Sequence, residues 1–312
     1  MLTYNRVEYL SKMIDSVLKQ TWKDFEFIVV NNGSEDNSME LLEAYRHQDE
    51  RLKLINIPKS SIATGRSEGL KSAIGEYIAF IDDDDWMYND SIETLCKAAL
   101  ETDADLVYCG SIKEEYGKQM DNCVPIANEI LSAAEAVIKL LKRKECNAAL
   151  PTKLIRRKLY EGVEFPAGST HEDIFVTYKL FAKANKVVAI TDKKYCFVRH
   201  GKNISAFTTN DKLLTPEQLD EYFGAFRERT EYLSKLLPEI ADYALYSEWS
   251  YMISMCNKIE SNHLVNCRSQ LEHIRKVLIK NFNEFYNGKY IEDFEKEWMN
   301  KYIRPLREVG DI

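Results

Sequence analysis

The first third of the chain alternates between short apolar runs and longer segments with helical spacing, and this alternation constrains the fold more than any other feature. Short apolar runs bounded by turn residues are typical of buried strands. Strands that alternate with helices predict βαβ units, and therefore an α/β fold with a mainly parallel, Rossmann-like sheet flanked by helices. The predicted strands are 26–30, 52–57, 77–81 and 106–109, and the predicted helices cover 7–20, a segment that opens at Asn37-Ser38, 67–73 and 91–101.

Two polar clusters directly follow two of the predicted strands. The first, Asn31-Asn32-Gly33-Ser34, is called the asparagine turn below, and the second, Asp82–Asp85, the acidic turn. In sheets of this kind, ligands bind outside the carboxyl ends of the strands. The sequence therefore predicts a ligand site to which both turns contribute.

The four successive carboxylates of the acidic turn repel one another unless a cation neutralises them. Hard oxygen ligands suit Mg²⁺ or Mn²⁺, which proteins often hold with one or two carboxylates plus substrate phosphates. Asp82 and Asp84 point to the same side if the strand geometry continues through the turn. The alternative is a solvated acidic turn. A calcium loop of the EF-hand type is disfavoured, because its sixth position is Met87, where glycine is needed.

The asparagine turn has two interpretations. Asn-Gly is ordinary turn chemistry. An asparagine side chain also offers one acceptor and two donors, which match the edge of a nucleotide base.

Two charged pairs later in the chain are further candidates for a site. Glu172-Asp173 begins a predicted helix, so it either complements the helix dipole or supplies a general base. Arg199-His200 ends the predicted strand 195–199, which follows another at 187–191. These cations either stabilise a leaving diphosphate or form a solvated pair.

From about residue 215 the chain has helical spacing throughout, and a helix is also predicted at 132–143. We place the domain boundary near 210, which gives a domain at 1–210 and a helical region at 211–312. The apolar positions of this region are typical of core. They are Leu233, Leu236, Leu237, Ile240, Leu245, Trp249 and Met252.

Composition excludes several classes of protein. The net charge of −8 argues against a nucleic-acid binder, which needs clustered Lys and Arg. No apolar run approaches the roughly 18–20 residues that span a bilayer. The seven cysteines are odd in number and form no C-x-x-C pair, which indicates free thiols in a reducing cytoplasm.

Taken in order, these segments resemble the family 2 glycosyltransferases, which have the GT-A fold. The resemblance covers about residues 1–205, and the helical remainder carries no signature of its own. The matching stretches are Thr3–Arg6 with the following helix, Phe27–Ser38, Gly65–Gly69, Gly75–Asp85, Phe165–Asp173 and Arg199–Gly201.

The resemblance implies a donor site for a nucleotide-diphosphate sugar. Asp82 would meet the ribose or the sugar, and Asp84, in the position of the DXD motif, would bind Mn²⁺ or Mg²⁺ as the Lewis acid on the leaving diphosphate. Tyr4 would stack on the base. The donor-binding residues that the resemblance implies, besides Asp82 and Asp84, are Thr3, Tyr4, Asn5, Asn31, Asn32, Arg66, Arg199 and His200.

The resemblance also implies inverting transfer, in which Asp173 takes the proton of the acceptor hydroxyl, with Glu172 beside it. The expected donor is UDP-linked, and the expected acceptor is a cell-surface glycan or a lipid-linked sugar, at the cytoplasmic face of the membrane with peripheral contact. The alternative is a non-catalytic nucleotide-sugar-binding or scaffold relative. A nucleotidyltransferase should carry a Gly-rich basic loop after its first strand, and the sequence has none there.

Three departures from the family pattern bear on these expectations. Asn31-Asn32 stands where the family usually has Asp-Asp, which opens the base site to guanine or cytosine. Ser67 stands where asparagine is usual. The apolar strand that precedes Thr-Tyr-Asn in the family is reduced to Met1-Leu2, so we expect that Met1 is an internal methionine of a longer native chain.

Overall fold

The structure, a computed structural model, describes residues 1–201, 203 and 210–309. The chain divides into two compact units, Met1–His200 and Gly201–Ile312. The domain boundary expected near 210 stays a prediction.

The first unit contains the alternating elements that the sequence predicts, with additional short strands. Its strands are β1 (Leu2–Thr3), β2 (Phe27–Asn31), β3 (Leu52–Asn56), β4 (Tyr77–Ala79), β5 (Trp86–Met87), β6 (Leu106–Glu115), β7 (Lys118–Asp121), β8 (Glu129–Leu131), β9 (Lys153–Arg156) and β10 (Val187–Arg199). Its helices are α1 (Val7–Leu18), α2 (Ser38–Gln48), α3 (Ile62–Ser72), α4 (Ser91–Thr102), α5 (Ala133–Lys142) and α6 (Asp173–Lys183).

These strands form two sheets, and the α/β class is confirmed. The first sheet has the order β1-β2-β3 and is wholly parallel. The second has the order β4-β9-β6-β10-β5, with β7 on β6 and β8 on β10. A parallel bridge between Leu2 and Asp82 connects the two sheets.

The second sheet is mixed, whereas the sequence predicts a mainly parallel one. Only β6 and β10 pair in parallel among its named strand pairs, and β9 runs antiparallel to both β4 and β6. Helical crossovers give parallel pairs, but β6 and β7 form a hairpin, which reverses the chain. The four strands β5, β7, β8 and β9 are short or exposed, so they lack the apolar pattern from which strands are recognised.

Several element boundaries also differ from the prediction, among them β4, which ends at Ala79 and not at residue 81, and α1, which ends at Leu18 and not at residue 20. The two strands expected at 187–191 and 195–199 are one strand, β10, whose register against β6 shifts between Ile190 and Tyr195. The strand expected at 106–109 continues to Glu115. The helix expected at 67–73 begins at Ile62, because Ser61 caps it by accepting a hydrogen bond from the Thr64 backbone N–H.

One core cluster of the first unit lies where α1 packs on β2 and β5, and another lies between α4, β6, β9 and β10. Leu10, Met13, Ile14 and Val17 recur at helical spacing on the buried face of α1, and all four are at most 3% exposed. This packing fixes the carboxyl end of β2, and with it the asparagine turn.

The short strand β1 brings the residues Met1 to Thr3 against β2. Its Leu2 packs so closely on α3 that a Cβ added at Gly65 would lie 2.2 Å from Leu2 Cδ1. The α-ammonium of Met1 donates a hydrogen bond to the Ile28 carbonyl at 2.9 Å, and burial lowers its pKa to about 5.

A cavity of about 690 Å³ is lined by apolar side chains of β2, α3, β4 and α4. Among the predicted site residues, all of which are described, Arg66 lines it. Asp24, Glu26 and Glu76 also line the cavity, and the acidic turn and the asparagine turn do not.

The second unit is helical in the part that the structure describes, as predicted. Its first long helix, Pro216–Leu236, begins after Thr215, which forms a capping box with Gln218. Leu233, Trp249 and Met252 are buried, but Leu236 is 46% exposed, so its assignment to the core was wrong. The helices are α7 (Pro216–Leu236), α8 (Ala241–Ser261), α9 (Arg268–Lys280), α10 (Phe282–Tyr286), α11 (Asp293–Tyr302) and α12 (Arg304–Val309). Across the described residues, none of the helices is both long and apolar enough to cross a membrane.

Candidate active site

The asparagine turn satisfies its own side chains. Asn32 Oδ1 accepts hydrogen bonds from the backbone N–H and the hydroxyl of Ser60 at 2.9 and 2.8 Å, and Asn32 Nδ2 donates to the Ser60 carbonyl at 2.9 Å. Asn31 Nδ2 donates to Asn56 Oδ1 at 3.1 Å, while Asn31 Oδ1 accepts from the Ser34 N–H. Both lone pairs of Asn32 Oδ1 are thus engaged, so reading a base through this atom requires Ser60 to move.

The segment before α1 packs beside this turn. Thr3 is buried, and its carbonyl accepts from the Asn32 N–H at 2.9 Å. Asn5 adopts a positive φ of 51°, and its Oδ1 accepts from the Glu35 N–H at 2.8 Å. Tyr4 is half-buried, and Lys59 Nζ both donates to its hydroxyl at 2.7 Å and lies 4.2 Å from its ring centroid. The ring on which a base would stack is therefore covered by Lys59.

Arg66, on α3, joins the acidic turn to the start of α6. One guanidinium nitrogen donates to Asp82 Oδ1 at 2.6 Å, and the other donates to Glu172 Oε1. Its side chain is 13% exposed, and Glu172 is 3% exposed. Because the two carboxylates lie on different elements, this shared cation is what brings them together.

The carboxyls around Arg66 have shifted pKa values. Burial raises the pKa of Glu172 to about 7, against the opposing effect of Arg66. Burial likewise raises the pKa of Asp82, and it raises that of Asp83 to about 7, to which the adjacent Asp84 contributes. Arg6 also opposes the rise at Asp83, but the carboxyl groups here outnumber the two arginines.

Asp85 is the most buried carboxyl of the acidic turn, at 4% exposure. Its Oδ2 accepts from the Tyr195 hydroxyl at 2.9 Å, and its Oδ1 accepts from the Val198 N–H at 2.8 Å. The Tyr195 hydroxyl also accepts from the Asp82 N–H at 3.0 Å. Burial raises the pKa of Asp85 well above its ordinary value, and Asp82 adds to the rise.

Asp84 contacts His200, the residue that follows β10. His200 Nε2 lies 2.8 Å from Asp84 Oδ2, and Tyr9 stacks on the imidazole with ring centroids 4.7 Å apart. The described residues contain no group of three or more His, Cys, Asp or Glu side chains arranged for a metal ion. A single carboxylate such as that of Asp84 suits a Mg²⁺ or Mn²⁺ ion that completes its coordination on substrate phosphates and waters, whereas imidazole is not a ligand that Mg²⁺ prefers.

Glu172 and Asp173 differ in accessibility although they are adjacent. Asp173 is the first residue of α6, as predicted, and is half-buried. Glu172 is almost completely buried and is paired with Arg66. Asp173 is therefore partly open to solvent, whereas Glu172 is enclosed and paired with Arg66.

The structure brings several predicted site residues together. Asp82 and Glu172 meet through Arg66, and Asp84 meets His200. Arg199 is the last residue of β10, where it pairs in register with Glu115. Sequence reasoning missed the residues that contact and support the predicted site residues, because these residue types are common in any core or loop. They are Tyr9, Lys59, Ser60, Tyr195 and Asp85, the last as the acceptor of hydrogen bonds from β10.

The sequence profile of "Glycosyl transferase family 2" matches residues 1–162. That is more than half of the chain, and the matched stretch contains both turns and Arg66. The chain therefore belongs to glycosyl transferase family 2, and it is a glycosyltransferase that takes its sugar from a nucleotide sugar.

Relatives and solved structures agree with this assignment. The chain is 32% identical over 214 residues to glycosyltransferase GlyG of Streptococcus pneumoniae serotype 4, covering 64% of this chain and 70% of GlyG. It is 29% identical over 347 aligned positions to GlyA of the same organism, covering 98% of this chain but 49% of GlyA. The crystal structure of S. aureus TarS 1-349 in complex with UDP-GlcNAc aligns with a TM-score of 0.68 at 17% identity, covering 99% of this chain and 89% of that one. This last likeness confirms the fold.

Proposed function

We propose that this glycosyltransferase is metal-dependent and inverting, and that it moves a sugar from a UDP-linked donor to a hydroxyl of a cell-surface glycan or lipid-linked acceptor. The observation that carries the proposal is the Arg66 bridge between Asp82 and Glu172, which joins the acidic turn to the helix that begins with Asp173. The structural neighbour TarS was crystallised with UDP-GlcNAc, which supports a UDP donor. We place the reaction at the cytoplasmic face of the membrane.

In this mechanism Asp173 removes the proton from the acceptor hydroxyl as the hydroxyl attacks the anomeric carbon. Asp84 would hold Mn²⁺ or Mg²⁺, which would supply Lewis-acid stabilisation of the leaving diphosphate, and Arg199 or His200 would lie over that diphosphate. Arg66 orients Asp82 toward the donor while it fixes Glu172. Half-burial of Asp173 leaves it open to the acceptor, whereas Glu172 is enclosed.

The experiment is a thermal-shift panel with UDP, GDP, CDP and ADP, each with and without Mn²⁺, followed by transfer assays. A ligand that binds only the folded state stabilises it by about 2.7 kcal/mol at a hundredfold excess over Kd. We expect a Mn²⁺-dependent shift with UDP. A shift with GDP or CDP alone would overturn the UDP assignment, and the Asn31-Asn32 departure makes that comparison necessary.

Asp173→Asn tests the base. We expect it to lower transfer by about a hundredfold or more while UDP still binds. Asp293→Asn is the matched control, because Asp293 is also the first residue of a helix, α11. Full activity in Asp173→Asn would assign the base elsewhere.

A further inference from the structure

Tyr195 lies at the centre of a buried hydrogen-bond network behind the acidic turn. Its side chain is 1% exposed. The Asp82 backbone N–H can only donate, so the Tyr195 hydroxyl accepts there and gives its single hydrogen to Asp85 Oδ2. One hydroxyl therefore binds the first and the last residue of the turn.

Asp85 extends this network along the same strand. Its second oxygen accepts from the Val198 N–H, three residues beyond Tyr195 on β10. Two residues further on, His200 contacts Asp84. The acidic turn is thus bound to β10 through Asp82 and Asp85, and to the residue that follows β10 through Asp84.

We propose that Tyr195 and Asp85 are positioning residues of the donor site, which hold the backbone of the acidic turn so that Asp82 faces Arg66 and Asp84 faces His200. This inference rests on the proposed function, because it assigns the network to nucleotide binding. Adjacent carboxylates repel one another, so an unfastened turn would spread them apart. Buried hydrogen bonds resist this movement, because breaking them leaves polar groups without water.

The test is Tyr195→Phe, which keeps the ring and removes the hydroxyl. It leaves the Asp82 N–H and one Asp85 oxygen without their partner. We expect the Kd of UDP with Mn²⁺, measured by calorimetry, to rise about tenfold or more, which corresponds to one lost buried hydrogen bond. In transfer assays we expect the effect in the KM of the donor rather than in kcat. Measurements are made at a temperature where circular dichroism shows the variant folded.

Tyr108→Phe is the matched control. Tyr108 is a fully buried tyrosine on the neighbouring strand β6, and its hydroxyl has no hydrogen-bond partner within the described residues. It should leave the Kd of UDP with Mn²⁺ unchanged. If both variants weaken binding equally, loss of core packing explains the result and the proposal is overturned.

A second readout does not depend on nucleotide. Amide hydrogen exchange at 82–85 should accelerate in Tyr195→Phe and not in Tyr108→Phe, because the Asp82 N–H loses its acceptor. Unchanged exchange and unchanged UDP affinity would each overturn the proposal. Should the wild-type protein bind none of the nucleotides, the proposed function fails on that result, while faster exchange at 82–85 still supports the fastening of the turn.

Asp85→Asn provides a second variant if Tyr195→Phe does not fold. The amide nitrogen of the variant only donates, so the Tyr195 hydroxyl and the Val198 N–H can no longer each donate to a separate oxygen, and the network has to rearrange. Where both single variants fold, we expect the double variant to weaken UDP binding by less than the product of the two single effects, because both act on one network. Multiplicative effects would contradict the coupling.

Discussion

The asparagine turn and the acidic turn occupy equivalent places at strand ends, but they satisfy their polar groups differently. In the asparagine turn, Asn32 binds three atoms of Ser60 in the next loop, and no charge is involved. In the acidic turn, the carboxylates are held by Arg66, His200 and Tyr195, which come from a helix, from beyond β10 and from within β10.

The asparagine turn therefore satisfies its polar groups within the protein, whereas the acidic turn keeps more negative charge than the protein neutralises. The asparagine turn has donors and acceptors in balance, so a ligand there must compete with Ser60. The acidic turn has an excess of carboxyl groups whose pKa values are raised by burial, so we propose that a bound cation would find negative charge there that the protein leaves uncompensated. Similar sequence positions therefore predict similar geometry but not similar chemistry.

The largest effect that tests this contrast is expected from Asp84→Asn. We expect kcat/KM to fall by about a hundredfold or more, because the carboxylate that faces the diphosphate is lost. At the same time the melting temperature without ligand should stay or rise, since one repelling charge is removed. Transfer assays and thermal melts measure the two effects.

Asp90→Asn is the control for Asp84→Asn. Asp90 follows the acidic turn in the chain, is half exposed and pairs with Lys194 at 2.6 Å. It should change neither activity nor metal dependence. Equal losses in the two variants would mean that general charge, and not the acidic turn, governs the activity.

Gly33→Ala should be the most damaging change to the asparagine turn. Gly33 has a φ of +73°, and an added Cβ would lie 2.6 Å from the Lys59 backbone nitrogen. Strain and clash together are expected to lower the free energy of unfolding by about 2–4 kcal/mol. Denaturant unfolding measures this loss.

Gly117→Ala isolates the contribution of strain. Gly117 has nearly the same φ, +74°, but nothing lies within 4 Å of its added Cβ. It should cost about 1 kcal/mol. If the two glycine variants lose the same stability, the close approach of Lys59 to the asparagine turn contributes nothing.

The sequence predicted the framework of the site because the framework follows from periodicity. The apolar run before Asn31 is a strand that ends at that residue, and α6 does begin at Asp173, whereas the run before Asp82 contains β4, which already ends at Ala79. The mixed second sheet could not be predicted, because β7 is wholly exposed and β5 has two residues. Such strands are determined by their neighbours and not by their own residues.

The contacts within the site were harder to predict than its residues. Arg66 was expected at the donor pocket, but its pairing with Glu172 joins positions 106 residues apart. The covering of Tyr4 by Lys59 likewise depends on how two loops approach each other. Contacts between residues far apart in the chain cannot be predicted from a local pattern. The order of the motifs, in contrast, predicts which residues belong to one site.

The pH dependence of stability tests the charge excess around Arg66. The folded-state pKa of Glu172 is raised to about 7, so the folded protein binds more protons than the unfolded chain between about pH 4.5 and 7. The stabilisation is therefore present at pH 4.5 and is lost as the pH rises through 7. We expect Glu172→Gln to remove about 1–3 kcal/mol of the difference between pH 5 and pH 8.

Urea unfolding of wild type and Glu172→Gln at both pH values, in EDTA, measures this difference. Glu135→Gln is the control, because Glu135 belongs to an exposed capping box on α5. The prediction is wrong if Glu172→Gln leaves the pH dependence of the free energy of unfolding unchanged. In that case the ion pair with Arg66 would fully offset the effect of burial on the pKa of Glu172.

The smallest effect is expected from Asn32→Asp, which converts the asparagine turn toward the acidic turn by one atom. The carboxylate still accepts from the Ser60 N–H and hydroxyl, but it cannot donate to the Ser60 carbonyl, which lies 2.9 Å from Asn32 Nδ2. Stronger charge-assisted bonds offset part of that loss. We expect about 1 kcal/mol lower stability at pH 7.5.

Protonation should reverse the loss in Asn32→Asp, because a protonated carboxyl can again donate to the Ser60 carbonyl. The free energy of unfolding of the variant should therefore approach that of wild type near pH 4–5, whereas Asn56→Asp, which places the new charge at the acceptor of Asn31, should lose no donor to a carbonyl. If Asn32→Asp is as stable as wild type at pH 7.5, the bond to the Ser60 carbonyl carries little free energy. A nucleotide base could then displace Ser60 from Asn32 at small cost in free energy. The asparagine turn would in that case be open to a ligand, as we propose for the acidic turn.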